Sequence, residues 1–268
     1  MQNSSCPSSL PRCPFPAGPF PVGSFGVPPF VVHVRDIVGS TSDDAKALAA
    51  QGAPDGSVVW ARAQEAGRGR YTRQWLSPPG NLYMSVVLRP AIPASRTAEL
   101  GFVVALAVAE TVQAWLPPGR LAGLKWPNDV LVDGRKIAGI LLEGHITGMR
   151  LEWVIAGIGI NLASAPDNPA YPATALAACG GGKPAARDVL EKLLANLAAW
   201  REIWQADGFA PVRSAWMARA TRLGEPITVR LGNEPQSGSF AGIDPDGALL
   251  MQTPQGTRRI TAGEVAFG

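Results

Sequence analysis

The sequence predicts an α+β protein in which a β-sheet is covered by helices, followed by a small β-barrel. Strand-like apolar runs alternate with helix-like segments and with glycine and proline turns as far as residue 221. The helix predicted over residues 95–116 is apolar on almost every side, as expected for a helix that packs across a sheet. From about residue 223 short strand-like runs are separated by glycine turns, which is typical of a small barrel.

The beginning of the chain has a different composition from the rest. Eight of the 25 prolines lie in the first 30 residues, which lack the charged start and apolar block of a signal peptide. We therefore expect a disordered Pro/Gly-rich leader over residues 1–29. The expected domains are then residues 30–221 and 222–268.

The first half of the larger domain contains strands on both sides of a helix. Residues 30–38 and 57–64 are rich in valine and predict strands. Between them, hydroxyl residues followed by two aspartates predict a helix N-terminus, and Gly52 predicts its end. A loop rich in glycine and arginine follows, and residues 81–89 predict the next strand.

The second half of this domain begins with the apolar helix. We expect Ser95 to cap it and Pro117-Pro118-Gly119 to end it. Further along the chain we expect a hairpin that turns at Asp133-Gly134, a buried strand and two amphipathic helices; these segments are 130–132 with 136–143, 151–162, 186–206 and 209–220. In the barrel, strand-like runs are PITVRL, SGSFAGI, GALLMQ and TRRITA.

Composition excludes several classes of function. Lys+Arg minus Asp+Glu is 24 − 21 = +3, which suits phosphate-bearing ligands and is too weak to indicate a nucleic-acid binder. Three cysteines without metal-ligand spacing and two histidines predict no metal site in the protein. No apolar run approaches 18 residues, so we expect no membrane association. Sparse cysteine fits a reducing compartment, and we expect the cytoplasm.

The stretch GRGRYTRQW, residues 67–75, is the first candidate for chemistry. Glycines allow backbone amides to approach an anion, and arginines supply planar, permanently charged donors for carboxylate or phosphate oxygens. Taken alone, the stretch fits a solvated basic loop equally well. A nucleic-acid segment of the RGG type is less favoured, because there is one short copy between two strands.

Three later motifs gain meaning only in combination. KWPNDV places Lys125 at a strand end beside Trp126, GRKIAGILLE leaves space at Gly139, and GIGINL places two glycines and Asn161 at a strand end. Taken separately, each motif fits an ordinary feature equally well. KWPNDV fits a surface lysine beside a turn, Gly139 fits a β-bulge, and GIGINL is a GxG pattern too weak to indicate a dinucleotide site. ACGGGKPA is not a phosphate-binding P-loop, because Pro184 follows its lysine and the glycine spacing fails.

In their order along the chain, these motifs resemble those of the biotin protein ligases. The run is GRGR-x-x-R-x-W, NLY-x-S, KWPND, K-x-AGIL-x-E and G-x-G-x-N, and the resemblance covers residues 35–268. It implies a mixed β-sheet with helices on one side, related to class II aminoacyl-tRNA synthetases, and an SH3-like C-terminal domain. It further implies activation of biotin by ATP with Mg²⁺ to biotinyl-5′-AMP, and transfer of biotin to a lysine of a biotin carboxyl carrier protein.

The resemblance also assigns residues. Catalytic roles fall to Lys125, Arg68 and Arg70. Biotin binding is implied for Ser40, Thr41, Ser42, Gln64, Gly67, Arg68, Gly69, Arg70, Lys125, Gly139 and Gly157. Nucleotide binding is implied for Arg68, Arg70, Arg73, Trp75, Asn128, Lys136, Gly159 and Asn161. Trp126 is expected to pack around the nucleotide or to support its site.

The sequence differs from the family in two respects, and two alternative functions stay open. Tyr71 and Thr72 stand where the family often has Arg-Gly, so we expect activity with altered retention of the intermediate. No helix-turn-helix pattern precedes residue 40, so we expect a monofunctional enzyme that does not bind DNA and that can form a homodimer. The alternatives are a related acyl-adenylating enzyme such as a lipoate ligase, and a non-catalytic binding protein with the same fold.

Overall fold

The computed structural model describes residues 23–71, 73–148, 150–167, 172–231 and 234–267. Their strands and helices form two units along the chain. The first contains β1 (Gly23–Val27), β2 (Phe30–Val38), α1 (Thr41–Ala50), β3 (Ser57–Gln64), β4 (Leu82–Leu88), α2 (Thr97–Gln113), β5 (Ala122–Lys125), β6 (Asp129–Val132), β7 (Arg135–Thr147), β8 (Arg150–Ile160), α3 (Ala186–Asp207) and α4 (Phe209–Ala218). The second contains β9 (Pro226–Leu231), β10 (Glu234–Ile243), β11 (Leu249–Thr253), β12 (Gly256–Ile260) and β13 (Glu264–Phe267).

The larger sheet has eight strands in the order β1-β2-β3-β4-β8-β7-β6-β5. It is mixed, because β2 and β3 run parallel while the other neighbouring strands pair antiparallel. Parallel pairing of β2 with β3 requires a crossover, and α1 provides it. The predicted strands over residues 30–38 and 57–64 are confirmed.

Both faces of this sheet are covered by helices. Val58 and Val86 belong to the main core with α2, whereas Val59, Val87 and Ile155 pack against Ala45 and Ala49 of α1. Because successive strand residues point to opposite faces, α1 lies on the face opposite α2. The expected placement of helices on one side therefore holds for α2, α3 and α4, whereas α1 covers the other face.

The C-terminal unit is a five-stranded antiparallel sheet in the order β12-β11-β10-β9-β13. Hydrogen bonds fix it against the first unit: the Trp126 indole Nε1 donates to the Gly247 carbonyl at 3.1 Å, and Arg213 Nε donates to the Ile243 carbonyl at 2.6 Å. The four predicted strand segments of this region are confirmed, and β13 was not predicted.

Several local predictions differ from the structure. Residues 23–29, assigned to the disordered leader, form β1 and the turn into β2, while residues 1–22 lie outside the described part of the chain. Ser95 does not cap the apolar helix, because Ala94–Arg96 form a 3₁₀ turn and α2 begins at Thr97. Strand β5 ends at Lys125 as expected, but its start at Ala122 was not predicted, since AGLK carries no β-branched residue. Within the described ranges, no helix is long and apolar enough to span a membrane.

Candidate active site

A cavity of about 430 Å³ lies on the face of the large sheet that carries α1. Its walls are the N-terminus of α1, the glycine–arginine loop of residues 67–75 (the Gly-Arg loop), strands β5 to β8 and the start of β13. Thr72 of this loop lies outside the described residues. The predicted site residues that line the cavity are Ser40, Thr41, Ser42, Gln64, Arg68, Gly69, Arg70, Arg73, Trp75, Lys125, Asn128, Lys136, Gly139, Gly157, Gly159 and Asn161.

One end of the cavity is polar and uncharged. The amide nitrogen of Thr41 and its hydroxyl both donate to Gln64 Oε1, at 2.8 and 3.0 Å. The Thr41 hydroxyl also lies 2.8 Å from the hydroxyl of Ser85, a residue of β4 that was not predicted. Ser40 caps α1, and its hydroxyl accepts from the Ser42 amide at 3.3 Å. This end therefore suits a neutral ligand group with both donors and acceptors.

Two glycines shape this end by the absence of a side chain. A Cβ on Gly157 would lie 2.7 Å from Ser42 Oγ, so the hydroxyls of Ser42 and Ser85 can meet only over a glycine. A Cβ on Gly67 would lie 2.5 Å from the Trp75 carbonyl and 2.7 Å from Ser77 Oγ. Gly67 does not line the cavity itself, unlike the other predicted residues. It supports Gln64, whose Nε2 donates to Ser77 Oγ at 2.9 Å.

The three arginines of the Gly-Arg loop contact different parts of the protein. Arg68 donates to both oxygens of Asp43 on α1, at 2.6 and 2.5 Å. This hydrogen bonding keeps the pKa of Asp43 below its ordinary value. Arg70 donates to the Gly263 carbonyl at 3.1 Å, and Arg73 forms a two-bond ion pair with Glu264. The loop thus joins the first turn of α1 to the C-terminal unit.

The Trp75 indole occupies a recess formed by two paired glycines, Gly139 of β7 and Gly159 of β8, which we call the glycine slot. The nearest ring atoms would lie 2.9 Å from a Cβ on Gly139 and 2.5 Å from one on Gly159. Lys136 Nζ lies 5.3 Å from the ring centroid and 2.6 Å from Asp129 Oδ1. The slot therefore holds a flat aromatic wall with a cation beside it.

Lys125, at the end of β5, is the least compensated cation of the cavity. Burial lowers the pKa of its amine, against the opposing effect of the nearby Asp129 carboxylate. Its Nζ lies 4.9 Å from the Phe267 ring centroid, and among the described residues it has no ion-pair partner within 4.0 Å. Next to it, buried Trp126 contacts both the cavity and the C-terminal unit, which fits the supporting role expected for it.

Asn128 and Asn161 were both assigned to the nucleotide, and each also holds the backbone. Asn128 Nδ2 donates to the Ile140 carbonyl at 2.6 Å, and Asn161 Nδ2 donates to the Thr174 carbonyl at 3.0 Å. Their amide groups are therefore committed to neighbouring segments. What remains for a ligand on these residues is the side-chain oxygen and the second N–H of each amide nitrogen.

The charge distribution determines what the cavity can accept. Lysines and arginines surround its middle, while its carboxylates, Asp129 and Glu264, are each paired with a cation. No group of three potential metal ligands occurs within the ranges that the structure describes. The arrangement suits a ligand with a neutral polar head and an anionic group, held next to a second anion.

The sequence-based prediction missed Ser85 and Glu264. Ser85 is the serine of NLY-x-S and is fully buried in a strand that is otherwise apolar, and such a lone polar residue was the available signal. Glu264 has no local signal, because its partner Arg73 is 191 positions away in the chain.

Comparisons with known proteins agree with this geometry. Residues 36–161 match the Biotin/lipoate A/B protein ligase family, and residues 223–268 match the Biotin protein ligase C terminal domain. The biotin–[acetyl-CoA-carboxylase] ligase of Paracoccus denitrificans is 43% identical over 234 residues, which are 85% of this chain and 97% of that protein.

Two solved structures are also similar. The biotin protein ligase of Aquifex aeolicus in complex with biotin and ATP has a TM-score of 0.74 and 28% identity, over 88% of this chain and 97% of that chain. The Leishmania major biotin protein ligase in complex with biotinyl-5-AMP has a TM-score of 0.62 and 26% identity, over 88% of this chain and 100% of that chain.

Proposed function

The chain belongs to the biotin protein ligase family, and from this premise we propose how its cavity carries out the reaction. The protein is an ATP-dependent ligase that activates biotin to biotinyl-5′-AMP and transfers the biotinyl group to a protein lysine, forming an amide bond. The assignment of residues rests on one observation: a neutral polar end and a cationic middle belong to the same cavity.

The neutral end binds the ureido ring of biotin. A ureido group has two N–H donors and a carbonyl acceptor, and it carries no charge. The hydroxyls of Thr41, Ser42 and Ser85 and the amide of Gln64 provide matching partners, already arranged by their mutual hydrogen bonds. A site held in place in this way needs little reordering when the ligand enters.

The cationic middle brings two anions together. A carboxylate oxygen of biotin attacks the α-phosphorus of ATP, the new O–P bond forms, and pyrophosphate leaves with the electron pair of the broken P–O bond. Lys125 lies where both groups must approach, and its partial burial strengthens its interaction with them. Arg68, Arg70 and Lys136 add positive charge around the phosphates.

The aromatic wall orients the nucleotide. Trp75 in the glycine slot, with Lys136 beside the ring and the oxygens of Asn128 and Asn161 nearby, forms the nucleotide end of the cavity. Mg²⁺ would accompany ATP as part of the substrate and would supply further neutralisation of the phosphates. Asp129, the carboxylate at this end of the cavity, is paired with Lys136 at 2.6 Å, so the ion would be held chiefly by ATP and water.

The second step needs no nucleophile from the enzyme. The lysine amine of the acceptor attacks the carbonyl carbon of biotinyl-5′-AMP, AMP leaves, and the amine loses a proton. We propose the biotin carboxyl carrier protein of acetyl-CoA carboxylase, or a related carboxylase, as this acceptor. The Gly-Arg loop, bound to α1 through Arg68 and to β13 through Arg73, covers the intermediate until the acceptor arrives.

Further proposals concern organisation and partners. We propose residues 23–221 as the catalytic domain, since β1 belongs to its sheet, residues 222–268 as an SH3-like domain and residues 1–22 as a Pro/Gly-rich leader. The enzyme acts in the cytoplasm, away from membranes, does not bind DNA specifically and can form a homodimer. Sedimentation with and without ligands tests the dimer, and a gel shift at physiological salt tests DNA binding.

One labelling assay tests the main assignment. Biotin- and ATP-dependent labelling of a carboxyl-carrier domain is expected for the protein and is expected to fail in Lys125→Ala. Lipoate serves as the competitor, because labelling with lipoate in place of biotin would indicate the related acyl-adenylating activity. If neither acid is adenylated, the enzyme assignment is wrong, and the fold serves a binding function.

A further inference from the structure

Arg68 lines the cavity and also belongs to a cluster of four charged side chains at its edge, formed with Asp43 and Lys46 of α1 and Glu143 of β7 (the Arg68 cluster). Two hydrogen bonds connect Arg68 with Asp43. Lys46 Nζ lies 2.5 Å from Glu143 Oε1 and 3.6 Å from Asp43 Oδ1. Two cations and two carboxylates leave the cluster neutral, so it adds no net negative charge beside anionic substrates.

Glu143 is incompletely satisfied in this cluster. Its Oε2 is buried and accepts no hydrogen bond within the described part of the chain, while Arg68 Nη2 lies 4.0 Å away. A buried carboxylate oxygen without a donor is costly, and the cost disappears when a donor approaches. A guanidinium has five N–H donors, of which Asp43 uses two, so Arg68 has donors to spare.

The backbone restricts how Arg68 can reach this oxygen. The Gly67 carbonyl accepts a hydrogen bond from the Trp75 amide at 2.9 Å, which restrains the backbone next to Arg68, so the adjustment falls on the Arg68 side chain. A charge-assisted N–H···O bond is about 2.7–2.9 Å long, so a movement of roughly 1 Å closes the gap. Such a movement keeps one oxygen of Asp43 within reach.

We propose that Glu143 is a positioning residue for Arg68. When biotin and ATP fill the cavity, the guanidinium moves toward Glu143, donates to Oε2 and is held there against the acyl-adenylate, with Lys46 fixing the other oxygen of Glu143. The inference rests on the proposed role of Arg68 at the intermediate. The proposal gives a function to Glu143, the final residue of GRKIAGILLE, which does not line the cavity itself.

The variant Glu143→Gln tests the contact. It keeps the shape of the side chain and removes its charge, so bound biotinyl-5′-AMP is expected to dissociate about tenfold faster, the effect of one charge-assisted hydrogen bond. Asp44→Asn is the matched control. Asp44 lies beside Asp43 in the first turn of α1, but its ion pair, at 3.8 Å, is with Arg35 and not with Arg68. Its dissociation rate is expected to equal that of the unaltered protein.

Two further variants separate positioning from folding. Glu143→Asp keeps the charge and withdraws the oxygens from Arg68 by one methylene, and it is expected to accelerate dissociation in the same way. In an Arg68→Gln background, Glu143→Gln is expected to have no further effect on the rate. Melting temperatures are measured for each variant, and rates are compared among folded variants.

The outcomes are distinct. A Glu143→Gln dissociation rate equal to that of Asp44→Asn, or an undiminished effect in the Arg68→Gln background, overturns the positioning role and leaves the ligase function intact. Absence of biotinyl-5′-AMP formation by the unaltered protein overturns the function itself.

Discussion

The indole of Trp75 lies directly over Gly159, so close that a Cβ at this glycine would stand 2.5 Å from the ring. The glycine is therefore required by the aromatic side chain, which comes from a loop 84 positions earlier in the chain (159 − 75). On the same sheet face, Gly157 leaves room for the Ser42 hydroxyl. The two glycines of GIGIN therefore lie at different ends of the cavity: Gly157 at the neutral end that we propose for the ureido ring, and Gly159 at the end that we propose for the nucleotide.

Gly159→Ala is expected to displace Trp75 and to weaken ATP binding more than biotin binding. Overpacking of this kind costs about 1–3 kcal/mol, so an increase of roughly 5-fold to 150-fold in KM for ATP is expected. Pyrophosphate release at varied ATP and biotin measures both constants. Gly144→Ala on β7 is the control, since its Cβ would meet Leu151 at an ordinary 3.5 Å. Equal changes in the two KM values would contradict the assignment of Trp75 to the nucleotide.

Lys125 is expected to give adenylation an alkaline limit. Its protonated amine is the active form, and its pKa is lowered by burial, so activity falls as pH rises through a value below 10.5. Asp129 and Glu264 oppose this shift, while Lys136 and Arg73 add to it. By linkage, the free energy of unfolding rises with pH between the lowered and the ordinary pKa, because the folded state releases its proton first.

The pH dependence of kcat/KM for pyrophosphate release between pH 7 and 10 checks this expectation. Lys125→Arg retains its charge throughout this range, so whatever activity it has should lack the alkaline limit. Lys125→Ala should lose about 10²–10³ in rate, as for removal of one strong electrostatic contact. A limit unchanged in Lys125→Arg would assign the titration to another group.

The ion pair between Arg73 and Glu264 is expected to hold the Gly-Arg loop against the C-terminal unit. Arg73 hydrogen bonding keeps the pKa of Glu264 below its ordinary value, so this contribution is present above that ordinary value and is lost as pH falls through the lowered one. Glu264→Gln should cost about 1 kcal/mol or less, because both side chains are partly exposed.

Limited proteolysis measures this effect, since trypsin cleaves after the loop arginines. Glu264→Gln should be cleaved in the loop several times faster than the unaltered protein. Glu225→Gln is a suitable comparison, because Glu225 forms an exposed ion pair with Arg222 away from the loop. Equal cleavage in both variants would show that the C-terminal unit does not restrain the loop.

How far the sequence predicts the structure depends on the range of the interactions. Strands β2 and β3 were predicted with correct bounds, because runs of β-branched residues end at glycines or polar residues close by in the chain. The cap of α2 was misassigned to Ser95, since a 3₁₀ turn and a helix start share the same local signals. Pairs such as Arg73 with Glu264 depend on the packing of distant segments, and no local pattern contains them.

The candidate site shows the same difference between local sequence signals and contacts made by distant segments. The order of the motifs predicted Lys125, Gln64 and Gly159, which lie at or near strand ends, and Gly139, which lies within β7, and all four line the cavity. Ser85 was missed because one serine in a buried strand is indistinguishable from a tolerated polar residue until its hydroxyl is seen 2.8 Å from Thr41. Local sequence therefore reports which residues are unusual, and packing decides what they contact.

Tyr71 provides the last prediction, because it contacts Arg70 of the same loop. Its hydroxyl accepts from Arg70 Nη2 at 3.2 Å, and the Arg70 guanidinium lies 4.9 Å from its ring centroid, so Tyr71 competes with the phosphate that we propose for Arg70. Replacing Tyr71-Thr72 by Arg-Gly adds a cation and removes both contacts from Arg70, which keeps its hydrogen bond to the Gly263 carbonyl. We expect biotinyl-5′-AMP to dissociate several times more slowly, with the adenylation rate retained. Tyr71→Phe removes only the hydroxyl contact and should show a smaller part of this change. A dissociation rate unaltered by Arg-Gly would mean that the tyrosine retains the intermediate as well as the family's arginine does.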